Sequence, residues 1–215
     1  MGGKDFEVRP TGVQDKGWII ETLETHWNST LMVSRGVLHD VSAQNGFAAV
    51  QDGLPVGLLT YDIVGDQCEI TLMQSLRKGI GVGTGLIYAA RNAAISRGCK
   101  RLWLITTNDN LHAIGFYQKR GFTLVAVHPN ALARSRELKP GIPMTGMCGI
   151  PLRDEVEMEM RLNSRIPEGK LSSRMPGNPE IRAIESLSPK QAPLSHRSRE
   201  PKCLLIEMVK CVRLC

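Results

Sequence analysis

Glycines crowd one short stretch of this chain, and their spacing suits an anion. Residues 78–85 read Lys-Gly-Ile-Gly-Val-Gly-Thr-Gly. An apolar run at residues 70–73 precedes them, and a helical pattern follows at once. Residues without a side chain let the backbone turn tightly and let a ligand approach the main chain. A helix start just behind presents unpaired N–H groups and the positive end of the helix dipole. That combination binds phosphate or pyrophosphate. A P-loop needs Gly-Lys-Ser/Thr at the end of the loop, and here Thr84-Gly85 stands instead. A dinucleotide fingerprint needs a third glycine at the sixth position, where Thr84 or Leu86 falls. The spacing that is present is Lys78-x-x-Gly81-x-Gly83.

A second block lies about twenty residues further on. Residues 101–107 form a continuous apolar and β-branched run, the pattern of a buried strand. Asn108-Asp109-Asn110 offers helix caps, residues 110–120 read as a helix, and Gly121 sits where a helix commonly ends.

Together the two blocks resemble the GCN5-related N-acetyltransferase (GNAT) family. The glycine loop is similar to that family's Arg/Gln-x-x-Gly-x-Gly/Ala. Asn110, Ala113, Phe116, Tyr117, Gly121 and Phe122 match its Asn-x-x-Ala-x-x-Phe-Tyr-x-x-x-Gly-Phe. The resemblance spans residues 6–162. It departs from the pattern at Lys78, where Arg or Gln is usual, and at Gly85, where Ala is common. A Lys keeps the charge but lacks the planar fork of Arg.

What the resemblance implies is an α/β fold with a mixed, mostly antiparallel central sheet flanked by helices. It implies acetyl transfer from acetyl-CoA to an amine by direct attack, with no metal. Backbone N–H groups near Leu72 and Met73 would polarise the thioester carbonyl. Lys78, Gly79, Ile80, Gly81, Val82, Gly83 and Thr84 would hold the pyrophosphate. Asn110, Ala113 and Phe116 would line the cofactor arm. Tyr117 would protonate the leaving thiolate, and Glu69 would take the amine proton through water. Each residue also has a plain structural reading. Tyr117 can be an aromatic packed on the sheet, Asn110 a helix cap, and Glu69 a solvent-facing strand residue. His26, His39, His112 and His128 are candidate general bases by type, but each is isolated in sequence and reads rather as a surface or loop residue. Asp154, Glu155, Glu157 and Glu159 could draw a cationic amine toward the site, but read rather as a solvated strand face.

The positioning elements follow from periodicity. Strands are expected at residues 6–10, 46–51, 56–63, 67–73, 101–107, 122–127 and 156–162, with weaker ones at 31–33 and 35–38. Helices are expected at residues 11–27, 84–97, 110–120 and 130–139. Asp52-Gly53 marks a hairpin turn. Residues 140–151, rich in Gly and Pro, read as an irregular loop.

The chain has 215 residues and a net charge of +6. Residues 1–163 hold 17 basic and 16 acidic side chains, leaving 10 and 5 for residues 164–215. The basicity therefore belongs to the C-terminal stretch, and the body carries no basic, aromatic-interleaved surface of a nucleic-acid reader. Residues 163–215, dense in Pro, Ser, Lys and Arg, have the composition of a disordered basic tail. Six cysteines occur without C-x-x-C or zinc spacing. No segment reaches the ~20 apolar residues of a membrane helix, so a reduced cytoplasmic or nuclear setting is expected. Two other functions stay open: a catalytically silent acyl-CoA-binding module, and a tail-mediated binder of nucleic acid or membrane surface. Neither the amine acceptor nor the oligomeric state is legible.

Overall fold

The computed structural model describes residues 6–162. The tail expected at residues 163–215 lies outside the described residues. Among the described residues the chain begins with strand β1 (Glu7–Pro10) and helix α1 (Lys16–Trp27). A two-stranded hairpin follows, β2 (Leu31–Ser34) and β3 (Val37–Asp40). Next come β4 (Asn45–Gln51), β5 (Leu54–Val64), β6 (Gln67–Ser75), α2 (Val82–Ser96) and β7 (Arg101–Thr107). Helix α3 (Leu111–Gln118), β8 (Thr123–His128), α4 (Ala131–Leu138) and β9 (Glu155–Arg161) complete the order. The fold is the expected mixed α/β arrangement.

Seven strands form one sheet in the order β1-β4-β5-β6-β7-β9-β8. Only β6 and β7 run parallel; every other pair is antiparallel. A parallel pair needs a crossover, and α2 supplies it. Turn chemistry sets the register elsewhere. Between β4 and β5, Asp52 and Gly53 both take positive φ, 52° and 75°, as a tight hairpin turn requires.

The sheet buries a different core on each face. On one, Val82, Leu86, Ile87, Ala90 and Ala94 of α2 pack with Leu59, Leu102, Leu104 and Met158. These α2 positions recur at helical spacing, which puts them on one stripe. On the other, Ile19 and Leu23 of α1 pack with Val41, Leu58 and Leu72. This second core is smaller and leaves the rest of its face to polar residues.

Three expectations change in detail. The first helix starts later than residue 11, because residues 13–15 form a 3-10 turn before α1. There Asp15 accepts the Gly12 N–H at 2.8 Å and is clamped by both Arg9 Nη atoms at 2.8 Å. The weak strands at 31–38 pair as a separate hairpin rather than joining the main sheet. The strand carrying Glu155, Glu157 and Glu159 is not a solvated face. It lies between β7 and β8, and the three carboxylates are 1%, 6% and 7% exposed.

Leu86 is fully buried beneath α2. Leu86→Ala is expected to cost about 2–5 kcal/mol, read as a lower melting temperature and a lower denaturant midpoint with the m-value unchanged.

Candidate functional site

Strands β6 and β7 pair only from Gln67–Arg101 to Ile70–Leu104. Beyond that β6 continues to Ser75 and β7 to Thr107 with no ladder between them. Alternate backbone groups of the far half of β6 turn away from β5 and face the opening. Leu72 and Met73 lie on this stretch, Leu72 buried and Met73 half-buried.

The glycine loop follows directly. Gly79 and Gly81 have φ of 81° and 91°, a conformation that costs other residues about 1–2 kcal/mol. Gly81 is the N-cap of α2. Lys78 and Gly79 are exposed and Ile80 half-buried, while Val82 and Gly83 are buried under the loop. Gly85, the departure from the family pattern, has a packing reason. A Cβ there would come within 2.9 Å of the Phe6 ring.

Thr84, in the first turn of α2, accepts from Arg120 Nε at 3.0 Å and Nη2 at 2.7 Å. Arg120 also donates to the Phe116 carbonyl at 2.7 Å and stacks 3.4 Å from the Phe116 ring centroid. This cation at the glycine loop is absent from the sequence reading. Only the four-residue spacing from Phe116 hinted at it.

Helix α3 brings the second motif to the same opening. Asn110 caps it, its Oδ1 accepting the Ala113 N–H at 3.1 Å. Ala113 and Phe116 are half-buried against the larger core. Tyr117 is buried, edge-on to Phe116 and Phe122 with centroids 5.3 Å away in each case. Its hydroxyl lies 4.0 Å from Met73 Sδ. Burial pushes this phenol well above its ordinary pKa, so it stays protonated at neutral pH.

Glu69 lies on the opposite face from Tyr117, 9% exposed. The hairpin β2–β3 reaches across to it. Ser34 Oγ donates to Glu69 Oε1 at 2.5 Å, and His39 Nε2 lies 3.3 Å from Ser34 Oγ. Burial raises the Glu69 pKa; the Ser34 hydrogen bond and the His39 and Arg35 charges oppose that rise, and Asp62 adds to it. His39 thus joins a site to which its isolated place in the sequence had given little weight, through its contact with Ser34.

The same face holds a network of charges. Arg101 bonds Glu157 through Nη2, and its Nε lies 2.5 Å from Glu159 Oε2 as an ion pair without a hydrogen bond. His128 Nε2 is 2.8 Å from Glu157, and Arg161 Nε is 2.5 Å from Glu159. Glu155 accepts the Arg35 backbone N–H at 3.0 Å and the Ser135 hydroxyl at 3.1 Å. Arg35 and Arg101 stand over the Trp103 ring at 5.7 and 5.1 Å.

Cys68 and Cys99 are buried free thiols, and burial pushes Cys68 up to about 12. Among the described residues no cluster of His, Cys, Asp and Glu is arranged to hold a metal, and no helix is long and apolar enough to cross a membrane.

Residues 16–122 match the Acetyltransferase (GNAT) family. The chain is 40% identical over 150 residues to the uncharacterized protein YdhI of Bacillus subtilis (strain 168), covering 69% of this chain and 94% of that one. It is 38% identical over 152 residues to the uncharacterized protein YxbD of the same strain, covering 70% and 96%. Among solved structures it is similar to the IAA acetyltransferase from Bacillus cereus ATCC 14579, with a TM-score of 0.59, 20% identity, and 74% and 100% of the two chains covered. A Bacillus subtilis acetyltransferase in complex with CoA gives a TM-score of 0.52 at 17% identity, covering 74% and 98%. At such identities the likeness to these two structures concerns the fold. Family match and fold agree: this chain belongs to the GNAT acetyltransferase family.

Proposed function

We propose that the protein transfers the acetyl group of acetyl-CoA to an amine by direct nucleophilic attack. The observation that carries this reading is the opening between β6 and β7, with the glycine loop and the α2 N-terminus at one end and Glu69 and Tyr117 on its two sides. The acetyltransferase domain then comprises residues 6–162, with residues 163–215 as an appended tail.

In this reading the pyrophosphate lies on the backbone N–H groups of residues 79–84, where the helix dipole favours negative charge. Lys78 and Arg120 add positive charge at the loop. The pantetheine arm runs into the opening beside Asn110, Ala113 and Phe116. Its thioester carbonyl accepts from a backbone N–H of the Leu72–Met73 stretch, the one that turns away from β5. Such donors act where negative charge develops on the oxygen.

Transfer then needs two proton movements. The amine nitrogen forms a bond to the acetyl carbon and gives its proton, through water, to Glu69. The carbon–sulfur bond breaks and the thiolate takes a proton from Tyr117. Glu69 is suited because burial moves its pKa upward, toward the working pH of a general base. Tyr117 carries its proton and lies beside Met73 at the opening; burial makes it a weaker acid than a free phenol, so its donation is drawn by the charge that builds on sulfur as the bond breaks. The silent-module reading instead takes Tyr117 as packing, as its edge-on contacts with Phe116 and Phe122 allow.

Calorimetry with CoA and with pantetheine tests the cofactor assignment. CoA should bind much more tightly, and equal affinity would exclude the pyrophosphate site. Tyr117→Phe keeps the ring and removes the donor. With an acceptor found by screening amines for thiol release, turnover should fall about 10²–10⁴-fold while acetyl-CoA affinity holds. Wild-type turnover in this variant would leave Tyr117 a packing residue. Acetyl-CoA binding with no acetylation across the screen would favour the silent module.

The pH dependence has a definite sign. A base must be ionised, so the rate should rise with pH through the raised Glu69 pKa, above the ~4.3 of a free Glu. Ser34→Ala removes a hydrogen bond that favours the ionised form. It should move this acid limb, and the carbon-13 titration of the Glu69 carboxyl, to higher pH.

A further inference from the structure

A cavity of about 230 Å³ opens beside Glu69, lined by Asp62, Val64, Gln67, Glu69 and Trp103. Its floor is set by register. Asp62 pairs with Glu69 across β5 and β6, and Glu69 pairs with Trp103 across β6 and β7. The three side chains therefore stand in one row on one face, with opposite Cβ atoms about 5 Å apart.

The two carboxylates differ from the other acids of this face. Glu157 and Glu159 are ion-paired to Arg101, and Glu155 is satisfied by an N–H and a hydroxyl. Among the described residues neither Asp62 nor Glu69 has an ion pair. The Asp62 side chain accepts only the neighbouring Ile63 N–H, at 2.9 Å. Glu69 is nine-tenths buried, and only its Oε1 is taken, by Ser34. Arg35 is a nearby cation, but its guanidinium leans to Glu157 at 3.9 Å and to the Trp103 ring. A buried carboxylate that lines a cavity and faces another carboxylate, with only the His39 and Arg35 charges nearby and no ion pair, has room for a positive partner.

The reacting amine cannot be that partner throughout. It must be neutral when it attacks, and a neutral amine gains little from a carboxylate pair. A group that stays protonated gains much more. Resting on the acetyl-transfer reading above, we propose that the acceptor is a dication. Its reacting amine enters the opening past Glu69, and a second ammonium or guanidinium is held by Asp62 in this cavity. Val64 and the part of the Trp103 ring left by Arg35 and Arg101 contact the alkyl spacer, while Gln67 at the mouth already accepts from Arg101 Nη1 at 3.1 Å and makes no further claim on the ligand.

The probes are putrescine and agmatine, compared with n-butylamine, which keeps the chain and loses the second charge. Each is titrated by calorimetry onto the CoA-saturated protein and assayed for thiol release with acetyl-CoA. The dications should bind at least about tenfold more tightly, the scale of one hydrogen bond to a charged group. Asp62→Asn should raise the Kd and KM of the dications by a similar factor and those of n-butylamine far less, compared at a pH above the Glu69 titration because losing the Asp62 charge also lowers the Glu69 pKa. Asp62→Lys should abolish the preference while the melting temperature reports that the protein is folded. Equal binding of the monoamine and the dications, or an Asp62→Asn variant that still prefers dications, overturns the proposal. Failure of CoA itself to bind would instead strike at the acetyl-transfer reading.

Discussion

Two neighbouring parallel strands stop pairing halfway, and the rest of the site depends on that. A sheet normally satisfies every interior backbone N–H and C=O. Where β6 and β7 separate after Ile70 and Leu104, their ladder no longer meets this condition. The half of β6 that follows offers alternate main-chain groups to whatever enters. Rigid supports hold the strands apart from their neighbours' sides: β6 stays paired to β5 up to Ser75, and β7 to β9 up to Thr107. The opening is thus a feature of a braced sheet rather than of a loose edge.

The two faces of that sheet divide the chemistry. The face under α2 and α3 is apolar, and Tyr117 is its polar handle near the opening. The other face is mostly polar. Its buried carboxylates are tolerated because Arg101, His128, Arg161 and Ser135 meet them at close range. Buried ion pairs of this kind add little net stability. They do fix geometry: Arg35 and Arg101, both paired with Glu157, also stand over the Trp103 ring, and the Ser34 hydrogen bond ties the β2–β3 hairpin to Glu69. Under the proposed reaction, cofactor and amine approach from different sides of the same sheet.

Much of this was legible in the sequence because its determinants are local. The loop at residues 78–85 carries its own glycines, and α3 its cap, its aromatic pair and Gly121, all within a dozen residues. The helices and sheet strands followed from periodicity for the same reason. What stayed hidden depends on long-range placement. Ser34 meets Glu69 across 35 positions, and Arg35 meets Glu155 across 120. No local pattern reports such contacts. The acids of β9 looked solvent-facing because alternation with Val and Met is what a half-exposed strand shows. Their partners, Arg101, His128 and Ser135, come from three other elements.

The place of β9 has a consequence for how the chain reaches this state. The last strand to be synthesised among the described residues lies inside the sheet, between β7 and β8. Strand β8 has no other partner in the sheet. Until residues 155–161 have left the ribosome, β7 offers an open edge and β8 has nothing to pair with. Open edges of this kind invite pairing with other chains, and closing them by a distant segment is slow. Among the described residues the sheet therefore closes by an insertion, and a nascent chain stalled before that point carries an open edge at the strand that later borders the site.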